Sequence, residues 1–351
     1  MSRVERKWDH IKLALDTGQL RKTGFDNVTF IHQSIPETSL DSIKLETKIG
    51  ELVLSSPIFI NAMTGGGGER TLEINRNLAR VAKETGIGLA VGSQMSALKN
   101  AEERKTFEVV REEHPTGIIF GNLGSEATVD QAKLAVKMIE ADALQIHLNV
   151  VQELAMPEGD RDFQGMLLRI GRIIDAVDVP VIVKETGFGM GIETLESLFS
   201  LGLLAVDVGG FGGTNFAAIE NQRGSNKLPF FEDWGIPTSV SIAEARHLSN
   251  SYPIIASGGI QTSLDIAKSI ALGANAAALA GHFLKVLIEQ GPNVLVELIN
   301  RLKHELIMIM TALGTNSVEE LQKAPLIISG STWHWLDQRG IDTKRYSQRK
   351  K

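Results

Sequence analysis

Short runs of apolar residues alternate along the chain with longer segments in which apolar residues recur every three or four positions. Nearly continuous apolar runs of this length are typical of parallel strands that are covered on both faces. The pattern therefore predicts eight buried strands. They are PIFINAM from Pro57, GIGLAVG from Gly86, GIIFGNLG from Gly117, ALQIHLN from Ala143, PVIVKET from Pro180, LLAVDVGG from Leu203, PIIASGG from Pro253 and NAAALAG from Asn275.

Helical segments separate these runs. ERTLEINRNLARVAKE, TVDQAKLAVKMIEA and TSLDIAKSIALG place apolar residues at helical spacing, and the last ends in glycine, a common helix terminator. Eight strands that alternate with helices predict an α/β fold, a (β/α)₈ TIM barrel. An open doubly wound sheet is the main alternative, and the strand count favours closure.

The ends of the chain lie outside the repeat. Residues 1–56 are predicted to form an N-terminal extension, in which SIKLETKIGELVLSSP forms a hairpin over the barrel floor. Residues 57–335 are predicted to form the barrel, and residues 336–351 a basic C-terminal tail. The end of this tail, DTKRYSQRKK, is expected to be solvated and mobile, and a binding role is the alternative. The segment 211–235 is long for a loop after a barrel strand, and such loops are usually functional.

Composition narrows the function. The chain has 351 residues, a formal net charge of −6 and no cysteine, which excludes disulfides, thiolate metal sites and a cysteine nucleophile. The acidic balance argues against a nucleic-acid partner. The N-terminus lacks the apolar region of a signal peptide, and no run of about 18 apolar residues indicates a membrane span. We expect a cytoplasmic protein with no membrane partner.

The predicted strand ends are rich in glycine and small polar residues. In a TIM barrel the chemistry lies at the C-terminal ends of the strands. SGGI and AGH follow the seventh and eighth strands, each before a helix, which is the usual phosphate site of such barrels. Turn glycines without a ligand are the alternative interpretation.

Other strand ends suit a flat polar ring. Thr64, Ser93 and Asn122 can donate or accept hydrogen bonds without charge, and Lys184 ends the fifth strand. A lysine near the pyrimidine edge of a flavin stabilises the negative charge of its reduced form. A salt bridge to a neighbouring carboxylate is the alternative for Lys184. Together with the phosphate site, these residues predict FMN.

The fourth strand ends in HLNVVQE. His147 and Asn149 are two positions apart and should share one face of the strand, while Gln152 and Glu153 should follow in the loop. A structural histidine in the core is the alternative. Glu153 is a hard oxygen ligand that suits Mg²⁺ completed by water and phosphate, and no further ligands stand at zinc spacing.

The N-terminal segment RKWDH also carries charge. On a helix, Arg6, Lys7 and His10 lie together, opposite an apolar stripe. Two interpretations stay open: a solvated basic face, and a clamp for a diphosphate.

These motifs resemble those of the type 2 isopentenyl-diphosphate isomerases. The markers, in order between Arg6 and about Trp335, are RKWDH, AMTGG, GSQMSAL, HLNVVQE, KETGFG, GGFGGTNF and ASGGI. The resemblance implies interconversion of isopentenyl diphosphate and dimethylallyl diphosphate with reduced FMN, Mg²⁺ and NADPH, which primes the flavin. It also implies a homotetramer or homo-octamer. Some members have arginine where this chain has Met95, which leaves one phosphate contact without its usual donor.

The resemblance also implies roles for individual residues. Catalysis would rest on Gln152, His147 and Asn149, and the metal ion on Glu153. Substrate would be bound by Arg6, Lys7, His10, Ser93 and Gln152. FMN would be held by Ala62, Met63, Thr64, Ser93, Asn122, Lys184 and Thr214, and its phosphate by the backbone around Gly258, Gly259, Ala280 and Gly281.

Three other classes compete for the same motifs. A flavin-dependent 2-hydroxy-acid oxidase would carry histidine and arginine after the sixth strand, where this chain reads GGFGGTNF. An enzyme resembling inosine-monophosphate dehydrogenase needs a catalytic cysteine and is excluded. A non-catalytic FMN-binding protein would need the glycine motifs but neither HLNVVQE nor the basic N-terminal segment.

Overall fold

A computed structural model describes residues 22–64, 67–223 and 227–349 of the chain. The strands are β1 (Val28–Phe30), β2 (Thr47–Ile49), β3 (Leu52–Leu54), β4 (Ile58–Ile60), β5 (Gly88–Ala90), β6 (Ile119–Gly124), β7 (Ala143–Leu148), β8 (Val181–Glu185), β9 (Ala205–Asp207), β10 (Ile254–Ala256), β11 (Ala276–Leu279) and β12 (Leu326–Ile328).

The helices surround these strands. They are α1 (Gly68–Thr85), α2 (Met95–Lys99), α3 (Lys105–Glu113), α4 (Val129–Met138), α5 (Val150–Ala155), α6 (Met166–Ala176), α7 (Ile192–Phe199), α8 (Phe216–Arg223), α9 (Thr238–Leu248), α10 (Ser263–Leu272), α11 (Gly281–Gln290), α12 (Pro292–Leu313), α13 (Val318–Leu321), α14 (Gly330–Gln338) and α15 (Lys344–Ser347). Short 3₁₀ turns cover Phe25–Asn27, Leu40–Ser42, Ala101–Glu103 and Pro229–Phe231.

Strands β4 to β11 form a closed parallel barrel in chain order, in which β11 pairs with β4. All eight predicted strands are present, and the predicted TIM barrel is confirmed. The open doubly wound alternative is wrong, because the two strands that would be its edges are hydrogen-bonded to each other. The three quoted helical patterns correspond to α1, α4 and α10. Capping boxes that start at Thr128 and Thr262 begin the latter two.

The barrel interior changes character along its axis. Its lower part is apolar and contains Phe59, Phe120, Ile182 and Ile255, with the two phenylalanine rings edge to face at a centroid distance of 5.3 Å. The predicted hairpin, β2 and β3, packs Ile49 and Leu54 against this end. Because side chains alternate along a strand, the next inward positions lie two residues further on. They are Asn61, Asn122, Gln145, Lys184, Asp207 and Ser257.

The C-terminal segment is docked through residue 349, so the prediction of a solvated tail is wrong. Tyr346 is fully buried, and its hydroxyl donates to the Leu272 carbonyl at 3.3 Å. The Arg349 guanidinium lies 4.6 Å from the centre of that ring and donates to the Ala271 and Ala324 carbonyls. One aromatic side chain thus anchors an otherwise basic segment.

The two ends of the described chain meet beside the barrel. β1 pairs antiparallel with β12, and Val28 is opposite Ile328. None of the helices in the described part of the chain combines the length and the apolarity needed to cross a membrane.

Candidate active site

A pocket that opens to solvent lies at the C-terminal ends of the barrel strands. Ligand and cofactor sites of this fold lie at this end of the barrel. Most of the residues predicted to form the site lie together here. They are Ala62, Met63, Thr64, Ser93, Asn122, His147, Gln152, Lys184, Thr214, Gly258, Gly259, Ala280 and Gly281.

Two predicted residues within the described ranges do not line this pocket. Asn149 and Glu153 lie on the segment that follows β7, and their side chains are hydrogen-bonded to each other. Arg6, Lys7 and His10 lie outside the described residues.

One side of the pocket is bare backbone. Gly258 follows β10 with a φ of 102°, a left-handed conformation that favours glycine. A Cβ atom at Gly258 would overlap the carbonyl oxygen of Gly210 and would lie 2.6 Å from its nitrogen. Two glycine segments, after β9 and after β10, therefore pack backbone against backbone and leave peptide groups facing the pocket.

The adjacent wall is a helix N-terminus. Helix α11 begins at Gly281, and its first-turn N–H groups have no acceptor within the helix. Together with the Gly258 turn they form an anion-binding wall. The donor set matches the phosphate of FMN, as the glycine motifs predict.

Other strand ends around the pocket carry neutral hydrogen-bonding groups. Thr64 Oγ1 donates to Asn75 Oδ1 at 2.6 Å, and Asn122 Nδ2 donates to the Val91 carbonyl at 3.2 Å. Asn122 Oδ1 is therefore the acceptor that lies 2.9 Å from His147 Nδ1. A neutral His147 carries its proton on Nδ1 and presents Nε2 as an acceptor.

Among the described residues that line the pocket, one is a lysine. Lys184 is the last residue but one of β8, is 6% exposed, and donates from Nζ to the Glu185 carbonyl at 3.2 Å. A nearly buried ammonium next to an anion-binding wall suits the pyrimidine edge of a flavin, which becomes negative on reduction. The residues of the pocket therefore fit FMN at both its phosphate and its ring.

The segment from His147 to Glu153 differs from its prediction. β7 ends at Leu148, and Asn149 leaves the extended conformation with φ −139° and ψ 37°. Its carbonyl accepts the Glu153 N–H at 2.9 Å, which begins α5. Asn149 is thus a helix N-cap and does not share a strand face with His147. Gln152 and Glu153 lie on α5 and not in a loop, and only Gln152 lines the pocket.

Glu153 is oriented by its neighbours. Its Oε1 accepts from Asn149 Nδ2 at 2.8 Å, and its Oε2 accepts from the Asp160 N–H at 2.9 Å. A carboxylate has about four lone-pair sites, so each oxygen keeps capacity for a further partner. Within the described ranges, no cluster of three or more His, Asp or Glu side chains is placed to hold a metal ion. One carboxylate completed by water and substrate phosphate fits Mg²⁺.

Sequence reasoning missed a buried carboxylate in the pocket wall. Glu185 Oε2 accepts from the N–H groups of Gly187, Phe188 and Gly189. Burial raises the pKa of Glu185 to about 7. The N–H donors and the Lys184 ammonium act in the opposite direction and lower this pKa. The signal was present in KETGFG, in which a carboxylate precedes a glycine-rich turn. The side chain folds that turn, and Thr186 and Gly187 then line the pocket.

The chain is similar to several known proteins. Residues 168–328 match the FMN-dependent dehydrogenase family. The chain is similar to the isopentenyl-diphosphate delta-isomerase of Bacillus cytotoxicus, with 60% identity over 349 residues that cover 99% of this chain and all of the relative. It is similarly 58% identical to the protein of the same name from a Geobacillus species, again over 99% of this chain and all of the relative.

The solved structures that resemble the chain share its fold. A mandelate oxidase variant with a monooxide FMN adduct superposes with a TM-score of 0.64 at 16% identity, covering 90% of this chain and 92% of the oxidase. At that identity the likeness concerns the barrel alone. The similarity to the isomerases covers 99% of the chain, and the barrel places the residues predicted to bind flavin in one pocket. The chain therefore belongs to the FMN-dependent type 2 isopentenyl-diphosphate delta-isomerases.

Proposed function

We propose that this enzyme interconverts isopentenyl diphosphate and dimethylallyl diphosphate by a 1,3-allylic proton shift. Reduced FMN would serve as the acid and base, Mg²⁺ would bind the diphosphate, and NADPH would prime the flavin. The observation that carries the proposal is the pocket itself. In it, Gln152 and His147 face the same space as Lys184 and the glycine wall, which is the wall formed by the glycine segments after β9 and β10.

The reaction needs a strong acid, because an alkene is a weak base and its protonation creates a tertiary cation. The chain offers no cysteine as a proton donor. When bound and reduced, FMN supplies a proton donor at N5 and an electron-rich face beside the substrate. The Lys184 ammonium would stabilise the negative charge of that reduced state.

Gln152 and His147 would act in the second step, in which a proton leaves the substrate. Gln152 lines the pocket from the first turn of α5, and His147 lines it from the end of β7. An amide is a poor base, so we assign Gln152 an orienting or relaying role. Asn122 would hold the His147 ring in one tautomer, and Asn149 would fix the first turn of α5 and the Glu153 carboxylate.

The diphosphate would lie towards Glu153. This carboxylate, already oriented by Asn149 and Asp160, would share one Mg²⁺ ion with the substrate phosphates. Ser93 would contact both the flavin and the substrate. Arg6, Lys7 and His10 remain proposed diphosphate ligands, supplied by this chain or by a neighbouring subunit of a cytoplasmic homotetramer or homo-octamer.

The proposal is tested by incubating isopentenyl diphosphate anaerobically with the protein, Mg²⁺ and FMN, either oxidised or reduced, and following the product by proton NMR. We expect dimethylallyl diphosphate only with the reduced flavin. No product with FMN shown to be bound and reduced would favour a non-catalytic flavin-binding protein.

A pair of matched variants tests the proton relay. Gln152→Asn shortens the side chain by one methylene and should slow the isomerisation at least tenfold, with FMN affinity unchanged. Gln348→Asn makes the same change at an exposed position outside the pocket and should have no effect. An unchanged rate in Gln152→Asn would remove Gln152 from the mechanism.

A further inference from the structure

A fully buried carboxylate lies beneath the pocket floor and has no role in the proposed proton transfer. Asp207 ends β9 and has no exposed surface. Its Oδ2 accepts from Asn61 Nδ2 at 2.7 Å, and its Oδ1 accepts from the Ser257 hydroxyl and from the Gly209 N–H. Asn61 and Ser257 both line the pocket. Asp207 thus supports the floor without forming part of its surface.

The orientation of the Asn61 amide follows from its other contacts. Its Oδ1 accepts from the Ala62 N–H at 2.9 Å and from Gln145 Nε2 at 3.1 Å. Two donors on the oxygen leave the Nδ2 group to point at Asp207. The carboxylate therefore receives three donors, as a buried anion requires.

A buried anion also needs a counter-charge. Lys184 is the register partner of Asp207 across β8 and β9, and both side chains point into the barrel. Burial raises the pKa of Asp207, whereas Lys184 and the donors from Ser257, Asn61 and Gly209 lower it. The other carboxylate beside Lys184, Glu185, uses its Oε2 on the N–H groups of its own turn.

We infer that Asp207 is a positioning residue of the flavin site: it balances the Lys184 ammonium and fixes Asn61 and Ser257 in the pocket floor. The inference rests on FMN occupying this pocket. The pair then sets the net charge beneath the flavin, and with it the relative affinity of the site for oxidised and reduced FMN.

The first test compares the affinities of Asp207→Asn for oxidised and reduced FMN. The substitution keeps the side-chain volume and removes the charge. With Lys184 unbalanced, the site should favour the anionic reduced flavin about tenfold more than the parent does. For a two-electron couple this corresponds to a midpoint potential about 30 mV higher. Equal changes in both affinities would overturn the inference.

Ser257→Ala is the matched control, because it removes one donor to Asp207 without changing the charge. We expect both affinities to fall by a similar factor and the midpoint potential to stay near that of the parent. A potential that rises as much as in Asp207→Asn would show that hydrogen-bond geometry, and not charge, controls the flavin, and would overturn the inference.

The second test needs neither flavin nor turnover. In the full chain without FMN, Lys184→Gln leaves Asp207 as a buried anion without its counter-charge and should lower the melting temperature. The double variant Lys184→Gln with Asp207→Asn removes both charges and should melt above Lys184→Gln alone. The proposal fails if the double variant lowers the melting temperature by the sum of the decreases in the two single variants, because the two side chains then do not interact. This result does not depend on whether the variants still bind flavin.

Discussion

Gly258→Ala is expected to damage the flavin site through backbone overlap. The residue has a φ of 102°, and an added Cβ would lie 2.6 Å from Gly210 N and closer still to its carbonyl oxygen. A left-handed conformation costs a non-glycine residue about 1 to 2 kcal/mol. Overpacking against the backbone adds about 1 to 3 kcal/mol. The expected total loss of stability is about 2 to 5 kcal/mol. A shift of the turn that faces the pocket would relieve part of this loss.

Gly202→Ala separates these two causes. Gly202 also has a positive φ, 74°, but nothing lies within 4 Å of its added Cβ. It lies before β9, at the end of the barrel opposite the pocket. Both alanines restrict the unfolded chain equally, so the difference between the variants reports the overlap. Only the conformational cost of about 1 to 2 kcal/mol is expected for Gly202→Ala.

The assay combines thermal unfolding without FMN and titration of the chain with FMN. For a domain of this size, 1 kcal/mol shifts the melting temperature by about 2 °C. Gly202→Ala should lose about 2 to 4 °C and bind FMN normally, while Gly258→Ala should lose about 4 to 10 °C and bind FMN at least tenfold more weakly. FMN affinity within twofold of the parent in Gly258→Ala would refute the role of the glycine wall.

Three further changes have defined outcomes. The pKa of Glu185 is raised from 4.5 to about 7, so its contribution to stability is full below pH 4.5 and is lost as the pH rises through 7. Melting temperatures from pH 4.5 to 8 should therefore fall more steeply in the parent than in Glu185→Gln, and parallel profiles would contradict this. Tyr346→Ala should destabilise the chain by about 3 to 5 kcal/mol in denaturant unfolding, with FMN affinity unchanged. Gln348→Ala is the control. Equal stability of the two variants would show that the C-terminal segment is not docked in solution. Glu153→Gln should raise the Mg²⁺ concentration for half-maximal activity at least tenfold without altering FMN binding, and an unchanged Mg²⁺ titration would remove Glu153 as the ligand.

The barrel could be predicted from the sequence because its eight strands are almost continuous apolar runs. Helices cover the outer face of each strand and the barrel interior covers the other, so both faces are apolar and the run is nearly continuous. The pocket walls could be predicted as well, since the C-terminal ends of parallel strands meet at one face. Asn122, His147 and Lys184 lie in one pocket for this reason.

The features that sequence reasoning missed are either too short to show a repeat or dependent on contacts between distant segments. Helix α5 has six residues, too few to show a helical repeat, and the backbone turn at Asn149 starts it. The docking of Tyr346 depends on a surface that includes Leu272, far away in the chain. Asp207 lies within an apolar run, and its importance appears only when β8 and β9 place it beside Lys184.

The central claim of the proposal is that NADPH would reduce the bound flavin once and would not be consumed in each turnover. It is tested by measuring dimethylallyl diphosphate formed per NADPH added, under anaerobic conditions in D₂O with FMN and Mg²⁺. The account predicts deuterated product in large molar excess over the NADPH. Product limited to the amount of NADPH would contradict it and would mean that the enzyme carries out net redox chemistry.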